Sequence, residues 1–287
     1  MRHAVFIGPD KTGSTWLQRF AQAHPQIQVC QSKELFFFLR ANGDRDLEWY
    51  RRRFEPAQPA HLVAFEVCHE YLFAPSAAAA IAADLPGATV IAGVRHPVER
   101  AYSSYRYMVR QGRTTLSFAD AVREIDELVD HSRLAGHLEP FLDRLGAERV
   151  TLLDFDLLGS DPQAYADAAS AQLGLPSWTI PDELHDKVLA AATARSARTV
   201  RALRLTASGL RRVGMYGTVE AAKRRLVESP LLFKPAPPAT AQSAGVDPDS
   251  AAYILGELDT DIARLDGWFG TSFAARWGVD APVGAAG

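Results

Sequence analysis

Cysteine is scarce in this sequence. Cys30 and Cys68 are the only two in 287 residues, too few for a disulfide framework or a tetrahedral zinc site. Each lies in an apolar stretch (IQVCQ and AFEVCHE), where a small buried reduced thiol is expected. Long apolar runs are missing as well. No stretch approaches the ~20 apolar residues that span a bilayer, so no membrane span is expected. The N-terminal MRHAVFIGP has one arginine and then five strand-like residues, without the apolar run of a signal peptide. These absences predict a soluble, cytoplasmic chain. An excess of charge is also lacking: 31 Lys and Arg stand against 34 Asp and Glu, a net charge of -3. That argues against a cationic nucleic-acid binder and leaves a local basic patch open. With 47% hydrophobic and 23% charged residues, the composition is that of a globule with a sizeable core, not of a disordered, collagen-like or coiled-coil chain.

What is present alternates. Short apolar runs at His3–Ile7, Ile27–Cys30, Leu62–Val67, Ala88–Val94 and Arg149–Asp154 read as buried strands. Helical spacing occupies Ser14–Ala23, Asp46–Phe54, Ala77–Asp84, Val98–Arg110, Ser117–Leu128, Leu134–Leu145 and Pro162–Leu173, several of them closed by Gly or Pro. This order predicts an α/β fold: a P-loop-like parallel β-sheet flanked by helices on both faces. No composition break divides it, so residues 1–287 are read as a single domain. A Pro/Ala-rich surface linker at 235–250 leads to a C-terminal helix at 251–265.

The first strand runs into Gly8-Pro9-Asp10-Lys11-Thr12-Gly13-Ser14-Thr15, which opens the first helix. Strand-to-helix turns are where α/β folds hold anions. Gly8 and Gly13 let the backbone curl closely, the amides of Thr12 to Thr15 point inward, Lys11 adds a point charge, and the hydroxyls add donors. A plain turn needs neither the lysine nor three hydroxyl residues. The glycine spacing fits the nucleotide-binding pattern G-x-x-x-x-G-K-S/T, but Ser14 occupies the lysine position. The strand Ala88–Val94 ends in Arg95 rather than in an aspartate that could hold magnesium, so no metal is expected. Arg95 at a strand's C-terminal end sits where open α/β sheets bind ligands, and Ser103, two helical turns on, can meet the same group.

GPDKTGSTWL resembles the 5′-phosphosulfate loop, near P-K-T/S-G-T/S-T/S-W-L, of sulfotransferases that use 3′-phosphoadenosine 5′-phosphosulfate (PAPS), with Asp10 as the one departure. Val94-Arg95-His96-Pro97 through Ser103 resembles their 3′-phosphate motif, with the family's spacing of eight between Arg95 and Ser103. SKELFFF at 32–38 with DLEWYRRRFEP at 46–56 resembles the heparan sulfate N- and O-sulfotransferases, the carbohydrate branch. So do FEVCHEY at 65–71 and the segment 152–162, and Leu255–Trp277 resembles the last helix of bacterial members. The resemblance covers nearly the whole chain and is specific in the two nucleotide motifs.

It implies PAPS as donor and PAP as product. Pro9, Asp10, Lys11, Thr12, Gly13, Ser14, Thr15 and Trp16 would form the phosphosulfate loop, and Arg95 and Ser103 would hold the 3′-phosphate. Lys11 and Glu34 would be catalytic, Glu34 as general base, with His69 as the alternative base. Phe37, Glu66 and Tyr71, with Glu34, are assigned to the acceptor cleft, although core packing is the competing reading of the aromatics Phe36, Phe37, Phe38, Trp49 and Tyr50. Where those enzymes have F-E-K, Val67 replaces the lysine. Lys33 is the nearest substitute, but alternation along a strand would point it away from the face of Glu34.

Residues 195–225 hold nine Lys and Arg and one acid, Glu220. They read as a solvated face, as a lid in which Arg195 and Ser196 close on the nucleotide, or as a dock for an acidic acceptor or a peripheral membrane contact. The expected partner is a carbohydrate or small-molecule acceptor; the oligomeric state is open. Two other classes stay in view: a P-loop kinase-like transferase and a non-catalytic nucleotide- or anion-binding protein.

Overall fold

The structure is a computed structural model that describes residues 1–39, 45–185, 193–194, 233–234 and 246–279. Five strands form one sheet: β1 (Arg2–Gly8), β2 (Ile27–Val29), β3 (Val63–Val67), β4 (Thr89–Val94) and β5 (Val150–Asp154). All are parallel, in the order β2-β3-β1-β4-β5. The central strands are apolar almost throughout, as a parallel sheet covered on both faces requires. In β1, Val5 and Ile7 face one core and Ala4 and Phe6 the other.

The second face is covered by α1 (Ser14–Ala23), whose Trp16, Leu17 and Phe20 pack on Phe6 and Phe65. The first face is covered by α2 (Pro75–Asp84), α3 (Pro97–Arg110) and α4 (Leu134–Leu145). Helix α5 (Pro162–Gln172) returns to the α1 side. The end of the chain folds back on the first face as α6 (Pro248–Gly256), α7 (Asp259–Phe269) and α8 (Phe273–Trp277). Cys30 and Cys68 are buried free thiols.

Three expected helices are divided. Asp46–Phe54 becomes an α-helix at Leu47–Arg51 followed by a 3₁₀ turn at Arg52–Phe54. Ser117–Leu128 becomes Phe118–Glu124 and Glu127–Asp130, with Ser117 capping the first through the Asp120 amide. The expected helix at 251–265 is two, α6 and α7, meeting at Glu257 and Leu258. Periodicity records the shared buried face and is blind to a turn that keeps that face in register. Most of the linker at 235–250 and the basic stretch 195–225, with Arg195 and Ser196, lies outside the described residues.

The chain moves from β1 outward to β2, back to β3, and then across β1 to β4. The reversal leaves a crevice at the C-terminal ends of β1 and β4, where open α/β sheets take their ligands. The Gly8–Thr12 loop and Arg95 both stand there.

Candidate active site at the ends of β1, β3 and β4

The loop after β1 is curled by backbone chemistry. Gly8 has φ of 126°, and a Cβ there would lie 2.3 Å from the His69 carbonyl oxygen. Gly13 is the N-cap of α1 with φ of 86° and no side-chain cap, so the first amides of α1 are left for an anion rather than spent on a capping residue. The cradle therefore fits a phosphate. Thr12 faces inward: its hydroxyl is buried, donates to the Pro9 carbonyl at 2.7 Å and packs on Gly93. Its side chain is a brace, a correction to the expected hydroxyl donor. Trp16 is corrected likewise. It is buried, stacks on Phe20 and donates from Nε1 to the Leu184 carbonyl at 2.9 Å, so it anchors α1.

Asp10 also turns inward. Its carboxylate accepts from Arg100 at 3.1 Å and Ser104 at 3.2 Å, and lies 3.4 Å from His131 Nδ1. Burial works to raise its pKa, but the His131 hydrogen bond and the charges of Arg100 and Lys11 outweigh that and hold it well below the usual carboxylate range. Asp10 thus ties the loop to α3 rather than facing a ligand. Arg100 is fully buried, donates to Ser132 Oγ at 2.6 Å and reaches the Leu128 carbonyl. Sequence reasoning passed over Arg100, Ser104 and His131. The available signal was the i, i+4 spacing of Arg100 and Ser104 on one side of α3, opposite an acid in a glycine loop.

Lys11, at φ of 65°, extends its ammonium over the Tyr107 ring, 3.7 Å from the centroid. Burial lowers its pKa to about 8, with Asp10 offsetting part of the fall and Arg110, Arg100 and Lys33 adding to it. Arg95 donates to the Lys11 carbonyl at 3.0 Å and to Glu99 at 3.1 Å, clamping the loop to the end of β4. Ser103 is half-buried on α3, one turn before Tyr107.

Glu34 reaches the crevice by a route that strand logic misses. β2 ends at Val29, and Glu34 lies five residues further on, at φ of 57°, its amide bonded to the Val67 carbonyl at the end of β3 at 2.9 Å. Its carboxylate takes two hydrogen bonds from His69, from Nδ1 at 2.7 Å and from the backbone N–H at 3.0 Å. Burial opposes ionisation of Glu34, yet the His69 bond and the charges of His69 and Lys33 bring its pKa below the ordinary value. Burial likewise opposes the charge on His69, but Glu34 and Glu70 lift it to about 9. The two candidate bases are therefore one ion pair.

Lys33 sits against the same group. Its Nζ donates to Ser14 Oγ at 3.0 Å, lies 3.4 Å from Thr15 Oγ1 and is 3.6 Å from Glu34 Oε1. The expectation that Lys33 points away from the Glu34 face is overturned, because neither residue belongs to a strand. Val67 is fully buried against the α1 side.

Phe37, Glu66 and Tyr71 do not line a cleft. Phe37 stacks on Tyr50 in the core, and Glu66 and Tyr71 are fully buried, hydrogen-bonded to each other at 2.7 Å. The assignment of these three to the acceptor is corrected: their side chains support the floor beneath Glu34. Burial raises the Glu66 carboxyl to about 7 against the pull of the Tyr71 and Tyr50 hydroxyls. The folded state thus keeps a proton that the unfolded state loses from about pH 4.5 upward, and stability falls as pH rises until about 7. Glu66→Gln should remove that dependence. Melting curves from pH 5 to 8 should show wild type losing on the order of 3 kcal/mol relative to the variant; parallel curves would refute the buried neutral carboxyl.

Residues 67–179 match the family model described as Sulfotransferase family. The resemblance is to sulfotransferases. Among curated proteins, the bifunctional heparan sulfate N-deacetylase/N-sulfotransferase 1 of Caenorhabditis briggsae is 27% identical over 207 residues, 63% of this chain and 23% of that protein. The Homo sapiens protein of the same description is 28% identical over 191 residues, 60% of this chain and 22% of its own length. The chain thus spans less than a quarter of the length of these relatives. Among solved structures, a sulfotransferase from Alicyclobacillus acidocaldarius superposes with a TM-score of 0.66 at 20% identity, covering 96% of this chain and 98% of that one. That likeness is one of fold. The family model's match begins at Val67, so the loop 8–15, Lys33 and Glu34 lie outside that model. No helix among the described residues is long and apolar enough to cross a membrane.

Proposed function

We propose that this chain transfers a sulfuryl group from PAPS to a hydroxyl of a carbohydrate, glycolipid or secondary-metabolite acceptor, with Glu34 as general base. The observation that carries this reading is the Glu34–His69 pair set against the loop of Ser14 and Thr15. Glu34 is held ionised and aimed by His69 beside that loop. It makes sense as a proton acceptor. His69, protonated below about pH 9, has no lone pair to offer near neutrality, which favours Glu34 as base and His69 as the group that aims it. An amine acceptor is the second reading, favoured by the N-sulfotransferase description of the curated relatives.

In this mechanism the α1 amides with the Ser14 and Thr15 hydroxyls hold the 5′-phosphate. Arg95 and Ser103 take the 3′-phosphate that distinguishes this donor from ordinary adenylates. Lys11 faces the bridging oxygen, and Glu34 accepts the acceptor's proton as the acceptor oxygen bonds to sulfur. The electron pair of the broken S–O bond leaves on the phosphate. The donor supplies the activated sulfuryl group; the chain supplies position and charge.

PAP should therefore raise the melting temperature more than AMP or ATP. A ligand at a hundredfold excess over its Kd adds about 2.7 kcal/mol, roughly 5–10 °C for a chain of this size. Equal shifts with the three nucleotides would overturn the 3′-phosphate assignment. Incubation with sulfur-labelled PAPS and a panel of sugars, phenols, amines and extract metabolites, read as a gain of one SO₃ by mass, identifies the acceptor. Tight PAP binding with no transfer across the panel would favour the non-catalytic binder.

A further inference from the structure

We propose that Lys33 is the cation that contacts the sulfuryl group itself, on the path between the donor loop and Glu34; this assignment rests on the sulfuryl-transfer reading above. The position of its ammonium carries the argument. On one side Nζ lies 3.0 Å from Ser14 Oγ and 3.4 Å from Thr15 Oγ1, at the first turn of the helix that would hold the 5′-phosphate. On the other side it lies 3.6 Å from Glu34 Oε1, where the acceptor's proton would arrive. A group moving from the phosphate to the acceptor oxygen passes between those two places. Lys11, by contrast, is held over Tyr107 on the α3 side of the loop.

The placement is built by the backbone. After β2 ends, Glu34 takes a left-handed φ of 57°, which is uncommon for a residue other than glycine. It is held by its backbone N–H, which donates to the Val67 carbonyl, and by the two hydrogen bonds its carboxylate accepts from His69. That reversal cancels the alternation of an extended strand, so consecutive side chains reach the same crevice. Lys33 is largely sheltered, at 18% side-chain exposure, and a charge so placed acts more strongly than one in open water.

The chemistry balances without a further reactant. The acceptor oxygen forms a bond to sulfur, the bond from sulfur to the bridging oxygen breaks with its electron pair going to the phosphate, and the proton goes to Glu34. The peripheral sulfuryl oxygens share one negative charge in donor and product alike, and Lys33 is the ammonium placed to face them. Two cations then divide the work: Lys11 meets the charge that grows on the leaving oxygen, and Lys33 the charge that travels.

PAPS and PAP differ by that sulfuryl group, so their binding separates the roles without a known acceptor. Titration calorimetry compares wild type, Lys33→Met and Lys33→Arg, with melting curves to confirm folding. Lys33→Met should weaken PAPS by about tenfold or more, in the range of a lost charge-assisted hydrogen bond, and PAP by no more than about twofold. Lys33→Arg should recover most of the preference for PAPS. Equal weakening of both ligands would place Lys33 on the 5′-phosphate and overturn the proposal, as would no change in either. Wild type that binds PAP and PAPS, with a Lys33→Met variant that keeps the same preference, sinks this assignment alone. Wild type that binds neither sinks the sulfuryl-transfer reading, and this one with it.

Discussion

Glu34→Gln should lower turnover by ~10²–10⁴-fold, the usual cost of losing a positioned general base, while PAP binds as tightly as to wild type or more tightly. The amide keeps the size of the carboxylate, and its oxygen can still accept from the His69 backbone N–H. It cannot take a proton from the acceptor. Removing the negative charge also removes its repulsion of the nucleotide phosphates. The partner reports the change independently of catalysis. His69 owes its high pKa to hydrogen bonds and charge from Glu34 and Glu70 acting against burial, so in Glu34→Gln its imidazole should titrate below about 9 by NMR. Calorimetry, a sulfation assay and the His69 titration on one preparation decide the matter. Unchanged turnover together with a shifted His69 would show that the acceptor's proton goes elsewhere. Weakened PAP binding would make Glu34 a support of the loop rather than a base.

Lys11→Ala should cost turnover ~2–4 kcal/mol, the typical value of one removed donor at a developing oxyanion, or roughly 30- to 1,000-fold in rate. PAP binding should fall much less, because the interaction strengthens as the bridging oxygen takes up charge. The loop should survive the substitution: Asp10 retains Arg100, Ser104 and His131, and Arg95 bonds the backbone carbonyl of residue 11, which alanine also has. Lys11 carries its charge below its pKa of about 8 and loses it above. Wild-type kcat/KM should therefore decline as pH rises through about 8, and in kcat the decline should move upward, because bound phosphate favours the ammonium. Lys11→Ala should lack that limb. A variant with normal turnover, or one that keeps the alkaline decline, would reduce the loop to a binding cradle.

Much of this fold was legible from local chemistry. The spans Ser14–Ala23 and Leu134–Leu145 are as periodicity predicts, and five apolar runs became five parallel strands. Gly8, Gly13 and Arg95 were legible for the same reason. A glycine that curls a strand-to-helix turn and an arginine at a strand's end have consequences within a few residues of themselves. The breaks within the helices at 117–128 and 251–265 were not visible in a pattern of apolar spacing. The start of α6 at Pro248, ahead of the expected 251, had an unused signal, since Asp247 caps it with Pro248 in its first turn.

The sequence by itself determined the alternating α/β order, the two apolar faces of the sheet, the glycine-curled turn after β1 and the arginine beside it. Tertiary structure alone decided which polar residues face the crevice. Asp10, drawn inward by Arg100, Ser104 and His131, became part of the scaffold. Glu66 and Tyr71 sank into the floor, and Glu34, His69 and Lys33 came together above it. The reason is physical. On a strand or a helix the direction of a side chain follows from its place in a repeat. Past Val29 the chain has left its ladder, and the direction of Lys33 and Glu34 is set by a left-handed turn whose bonds come from Val67 and His69, more than thirty residues away.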